Sequence, residues 1–420
     1  MRINKNSYLV LQLLIFSFPI HFSKLGISSL DIFLIIMTPF TLINFFCGNL
    51  KLKKELLFIL LFIFIYFLLI GSIIINQYDN YEVILVTLRR LILPISILVA
   101  YQFLKKFDFA LINFKVKFLY AIAPLLSISL SFLTSCSSTY SPICYFESSS
   151  YSASYLALGS FVMAVSIISF NKKKDGLLLK ICYITYPILI ISFFSRGSFL
   201  SLILIISFFI LSKYKSLINS FFSFKVKNIK SFLIFTGTIS FLLSLVIRKI
   251  NFEEFNRISR IKDFLYSFSS PENLFIYISN TGRFLADNNE NYFTKRFLDQ
   301  CGNSIDNIIL GCGNGIRYLQ RGSWSSPSDY DSFWRLIFVD YGLIFTLVIG
   351  IFILYLQILA FKKLFGSTTK LNQKWLLSYF LSITLVALFT NEIFMMDAVG
   401  PQATFIVLLA FFKDKSLLSE

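Results

Sequence analysis

Apolar residues in this chain run in uninterrupted blocks about twenty residues long, and that block length constrains the fold more than any other feature. At a rise of about 1.5 Å per residue, a helix of that length covers roughly the 30 Å of a bilayer's hydrocarbon core. Hydrocarbon offers no partners to backbone N–H and C=O groups, so a chain inside it must be helical or a closed barrel. Barrel strands alternate apolar and polar residues, whereas these runs are continuous. The composition agrees: 56% of the 420 residues are hydrophobic and 15% are charged, with a mean hydropathy of +0.74. One aqueous core cannot bury that much apolar surface. The fold class expected is therefore all-α, a polytopic membrane protein of about twelve spans.

The expected spans are 7–22, 29–48, 56–75, 83–104, 118–134, 152–170, 177–194, 198–212, 231–248, 334–360, 375–391 and 399–412. The first block follows Arg2 and Lys5 in the manner of a signal peptide. No small-residue cleavage pattern follows it and further spans come at once, so it reads as a retained helix. Residues 1–248 thus carry the first nine spans and residues 334–420 the last three. Between them, residues 249–333 hold no apolar block long enough to cross, and mixed runs such as 252–268 have the spacing of short amphipathic helices. A loop that long is a functional candidate.

The net charge of +17 is explained by where the charge lies. Lysines cluster after every second block: Lys51, Lys53 and Lys54, then Lys105, Lys106, Lys115 and Lys117, then Lys172, Lys173 and Lys174. Lys213 to Lys230, Lys362 to Lys374, and Lys413 with Lys415 continue the pattern. The positive-inside rule places these clusters and both termini in the cytoplasm, with the turns near Ile27, 77–82, 135–151 and Arg196 outside. The partner of this charge is then the lipid bilayer, not nucleic acid.

Cys47 and Cys182 fall at or within helices. Cys136 with Cys144, and Cys301 with Cys312, form two close pairs in outer loops, where an oxidising compartment favours two local disulfides. His21 is the only histidine, which removes multi-His metal sites and Ser-His-Asp triads and leaves it a structural or interfacial role. There is no P-loop and no dinucleotide-binding glycine pattern. No metal and no cofactor is expected, and any acid or base must be a carboxylate, Tyr or Lys.

Several motifs can carry chemistry. Arg89 and Arg90 interrupt the fourth span, where a guanidinium costs several kcal/mol and needs an anionic partner, either a lipid-linked phosphate or an internal carboxylate. Ser195-Arg196-Gly197-Ser198 joins two spans; Gly197 permits a sharp bend there, and a helix starting near Ser198 would add N–H donors for an anion. The alternative is a plain turn. In the large loop, Gly282-Arg283 precedes Gly311-Cys312-Gly313-Asn314-Gly315, a run that lets backbone approach a ligand or merely turns the chain. Asp329 and Asp331 precede the tenth span; they can cap it and pair with Arg335, or one can deprotonate an acceptor hydroxyl. Asp340 inside the tenth span and Glu392 at the last outer turn are secondary candidates.

The order of these motifs resembles the superfamily of O-antigen polymerases and O-antigen ligases. Ser195-Arg196-Gly197 lies between two spans, a long outer loop bears Gly282-Arg283 and the glycine run, and Asp331 precedes Tyr341-Gly342-Leu343-Ile344 at the start of a span. The resemblance covers Ser195 to about Phe361, together with the topology. It implies a GT-C-like, inverting, metal-independent glycosyltransferase of the bacterial inner membrane with its active site in the periplasm. It also implies an undecaprenyl-diphosphate-linked glycan as donor, bound through Arg196 and Arg283 with Arg89 or Arg90 as further candidates, and Asp331 or Asp329 as base. Ligases of the superfamily typically carry a histidine near Asp331, and its absence here favours polymerase over ligase. The acceptor is then a second lipid-linked repeat, and a chain-length regulator is a further candidate partner. A lipid-linked oligosaccharide flippase is the alternative from another class, but its short loops and matching halves have no counterpart in this sequence.

Overall fold

The structure is a computed structural model that describes residues 5–22, 27–50, 54–77, 92–105, 107, 109, 112–133, 144–146, 152–170, 175–193, 195–213, 305–311, 333–366, 369–387 and 399–412. These residues are nearly all helical. In chain order the helices are α1 Lys5–Ser17, α2 Ser29–Phe46, α3 Lys54–Gln77, α4 Ile92–Leu104, α5 Phe114–Leu133, α6 Ser152–Ser169, α7 Gly176–Ser192 and α8 Arg196–Lys213. After them come α9 Ile305–Leu310, α10 Phe333–Leu364, α11 Leu371–Val386 and α12 Val399–Phe412. The expected span at 231–248, residues 83–91 of the fourth and 388–391 of the eleventh lie outside the described residues; the other expected spans each overlap a described helix. Among the described residues three segments are long and apolar enough to cross a membrane: Ser29–Phe46, Phe114–Ser131 and Tyr341–Leu364, the last with a mean hydropathy of 2.6 in its 18-residue window.

The first expected span is too long. α1 ends at Ser17, and His21–Phe22 pairs antiparallel with Ile27–Ser28 as a two-residue hairpin, β1 and β2. Pro19 explains the break, since it has no N–H to donate and pushes Phe18 out of the helical region. Beyond the hairpin the chain re-enters helix on a capping box. Asp31 N–H donates to Ser28 Oγ (3.2 Å), and the Asp31 carboxylate accepts from Ser28 N–H at 2.7 Å. At its other end α2 stops at Cys47, followed by Gly48 at φ +74°.

α6 is the axis of the bundle. All its side chains from Ala153 to Ser169 are buried, and α1, α5, α7, α8, α11 and α12 pack around it. Ala153, Ala157, Gly159, Ser160 and Ala164 are small enough to let those helices approach closely. A smaller cluster of buried side chains joins α3 to the first half of α10: Phe67 stacks on Tyr341 at 4.9 Å and Tyr66 meets Phe345 at 5.0 Å. The other end of α10, at Ala360 and Leu364, belongs to the main core.

Polarity is distributed inside out. Phe46 (79%), Leu177 (73%) and Ile351 (68%) are exposed, while Gln402, Ser160 and Ser378 are wholly buried. Facing water, each large apolar side chain forgoes about 1.5–3 kcal/mol of burial free energy, so these faces suit hydrocarbon.

The buried polar groups are tied to one another. Ser160 Oγ donates to the Ser17 carbonyl, Gln402 Nε2 donates to the same carbonyl at 3.1 Å, and Ser17 Oγ meets Tyr120 Oη at 2.5 Å. This joins α1, α5, α6 and α12. Gly159 makes the room, because a Cβ there would stand 2.3 Å from Gln402 Oε1. Gly159→Ala is expected to cost about 1–3 kcal/mol by overpacking, and Gln402→Ala in the same chain to return part of it. Melting temperatures of the two single variants and the double variant in detergent check this; additive losses would contradict it.

Candidate functional site

Arg196 is the first residue of α8, so the helix begins two residues earlier than expected. Gly197 is helical and buried and makes no sharp bend, since among the described glycines only Gly48, Gly311 and Gly342 have positive φ. α7 and α8 are joined by a short connection between Ser192 and Arg196, and Gly197 belongs to the first turn of α8. Phe199 N–H donates to the Ser195 carbonyl at 3.0 Å, leaving the N–H groups of Arg196, Gly197 and Ser198 without an intrahelical acceptor at the positive end of the helix dipole. Ser198 and Ser201 turn their hydroxyls back onto Ser195 O (3.1 Å) and Gly197 O (2.8 Å). The Ser195 hydroxyl, 6% exposed, has no hydrogen-bond partner among the described residues.

The second part of the site is on α10. Asp340 and Arg335 lie in its first half, but the helix is not the continuous span expected around Asp340. It breaks at Gly342, at φ +76° and ψ −175°, a conformation essentially reserved for glycine. The break receives residues 309–311 of the large loop. A Cβ on Gly342 would lie 2.3 Å from Ile309 O and 2.5 Å from Gly311 N, and Gly311 itself has φ +88°. Tyr66 Oη reaches the Leu310 carbonyl at 3.5 Å from α3, and Thr346 Oγ1 donates to Gly342 O at 2.8 Å. Two glycines singled out in separate motifs are therefore in backbone contact, so the loop is docked two residues beyond Asp340.

Arg89, Arg90, Arg283, Asp329, Asp331 and Glu392 lie outside the described residues, as do Cys136, Cys301 and Cys312. Cys144 is disulfide-bonded, while Cys47 and Cys182 are free. Residues 144–146 are drawn back against α5: Cys144 N–H donates to Ser131 Oγ at 3.0 Å, and its carbonyl accepts from Ser131 Oγ at 2.7 Å. Tyr145 is fully buried there, and burial pushes its phenol above the ordinary value. Nothing in the sequence marked this return into the bundle beyond the two serines one helical turn apart, Ser127 and Ser131. Among the described residues no three His, Cys, Asp or Glu side chains are grouped to hold a metal ion.

Lys117, expected at the cytoplasmic surface, is instead buried and paired with Asp175 at 2.6 Å, each side chain 6% exposed. The pair fastens the start of α5 to the start of α7.

Fold and site together define the class: an α-helical bundle in which three of the described helices are long and apolar enough to cross a membrane, with residues 305–311 packed on one of them. Comparison with family models, with curated proteins and with solved structures gives no match to this chain.

Proposed function

We propose that this protein is an O-antigen polymerase of the bacterial inner membrane, with both termini cytoplasmic and its active site at the periplasmic face. The reading is supported by the order of motifs along the chain, and the observation that carries it is the backbone contact between Gly311 of the loop and Gly342 beside Asp340. In this reading residues 249–333 cover the site. The growing glycan is held on undecaprenyl diphosphate, and the acceptor is the non-reducing sugar of a second lipid-linked repeat. Asp331 or Asp329 takes the proton from the acceptor hydroxyl as its oxygen attacks the anomeric carbon. The bond from that carbon to the diphosphate oxygen breaks on the opposite face, inverting the centre, and the diphosphate leaves with the electron pair. Charge accumulates on that diphosphate in the transition state. Arg196 and Arg283, with Arg89 or Arg90, are placed by this mechanism to neutralise it, and the open N–H groups at the start of α8 add to the field. A carboxylate base fits a chain whose one histidine is His21.

Purified protein supplied with lipid-linked repeat units and no nucleotide sugar is expected to build ladders of two or more repeats. Arg196→Ala and Arg283→Ala are each expected to slow elongation by about 10²-fold or more. Deletion in the producing cell should leave single-repeat lipopolysaccharide. Loss of even the single repeat would favour ligase or flippase, and normal chain length in both arginine variants would remove the assigned site.

A further inference from the structure

A half-open groove of about 510 Å³ lies between α1, α2 and α4. Its floor is buried, formed by Leu9 (5% exposed), Gln12 (4%), Val99 (2%) and Phe103 (4%), while its rim is exposed at Leu11 (52%), Ile36 (57%) and Phe40 (59%). Tyr8 Oη donates to Met37 Sδ at 3.1 Å, tying α1 to α2 at the groove. α2 is one of the three membrane-length helices among the described residues, so a groove opening on its apolar face opens on hydrocarbon chains. The volume is in the range of sites that enclose a small apolar ligand.

Two further observations bear on which chain fills it. Lys105, exposed and donating to the Asn49 carbonyl at 3.4 Å, stands two residues beyond Phe103 at the same end of α4. Lys106 follows it in sequence, and Lys51, Lys53 and Lys54 follow Leu50 at the end of α2. One turn before Lys105 in the groove wall, Gln102 Oε1 is a buried acceptor with no donor among the described residues. An exposed cation one helical turn along α4 from the groove wall, with a buried amide oxygen in that wall, suits an anion attached to hydroxyl groups above an apolar tail.

We propose that this groove is a binding site for an anionic glycerophospholipid with a hydroxylated headgroup, its phosphate at Lys105 and one acyl chain lying along Leu9, Val99 and Phe103. The site uses none of the residues assigned to glycan transfer and depends only on the bundle lying in a membrane.

The test uses the full-length protein in nanodiscs containing phosphatidylglycerol with a photoactivatable group on one acyl chain, and phosphatidylcholine carrying the same group in a parallel sample. Mapped cross-links are expected in α1, α2 and α4 with phosphatidylglycerol. Leu11→Trp and Ile36→Trp, which fill the rim, should remove them while leaving labelling of the exposed face of α10 at Ile351 unchanged. Lys105→Glu is expected to weaken groove labelling by phosphatidylglycerol on the order of tenfold, with little change for phosphatidylcholine. Equal labelling of the groove and of α10, or indifference to the tryptophans, would reduce the groove to ordinary bilayer contact and overturn the proposal. So would displacement of the label by polyprenyl phosphate but not by unlabelled phosphatidylglycerol. Labelling reads the groove whether or not the protein elongates glycans, so its failure and that of the polymerase reading are separable.

Discussion

Gly342→Ala is expected to lower the stability of the purified protein by on the order of 4 kcal/mol and to release residues 305–311 from α10. Two costs combine. A side chain at φ +76° and ψ −175° is strained by about 1–3 kcal/mol. The added methyl also meets backbone, 2.3 Å from Ile309 O and 2.5 Å from Gly311 N, and no rotamer change can move it away; overpacking of that kind costs about 1–3 kcal/mol more. Gly176→Ala is the matched control, because it makes the same chemical change at the start of α7 with no atom within 4 Å of the new Cβ. Thermal melting in detergent with limited proteolysis around Leu310 checks the pair. Equal melting temperatures and equal protease resistance would mean that the loop is not seated on Gly342. In the polymerase reading the same variant also loses elongation activity, because the loop that carries Arg283 and Asp331 is no longer held.

The second large effect is expected at Lys117 and Asp175. Lys117→Met leaves the Asp175 carboxylate buried with no cation at 2.6 Å, and Asp175→Leu leaves the ammonium in the same position. Each single change should cost about 3–5 kcal/mol, most of it the penalty of an uncompensated buried charge. Replacing both with apolar residues removes the two desolvation costs together, so the double variant should melt near the wild type. Denaturation of the three proteins in matched detergent gives the coupling directly. If the double variant loses the sum of the single losses, the ion pair is not the fastener of α5 to α7.

Much of the fold was legible because the solvent that these blocks require leaves few choices. An apolar run of spanning length has to be helical, but block length alone carries the first span through Pro19 to residue 22; the finer stops and starts lie in turn chemistry at Pro19, Ser28 with Asp31, and Gly48. The candidate site was legible only as separate motifs. Gly311 and Gly342 each stood out as glycines, yet they lie about thirty residues apart in the chain, and no local signal says that the two will meet. Lys117 looked like one more basic residue beside Lys115, since nothing nearby in sequence announces that Asp175 will be its partner. Gln402 was passed over inside an apolar segment, although an amide there is itself a sign that a polar partner waits in the bundle.

Composition and block length by themselves determined the helical class, most helix positions and the apolar character of the exposed faces. These are properties of a segment and its surroundings, and each segment carries them alone. Tertiary structure decided that α6 is the axis, that Gly159 yields its space to Gln402, that Lys117 is buried, and that the large loop is anchored at the break in α10. Each of these joins groups far apart in the chain, and packing fixes such a pair only when both surfaces are present to exclude everything else from the space between them.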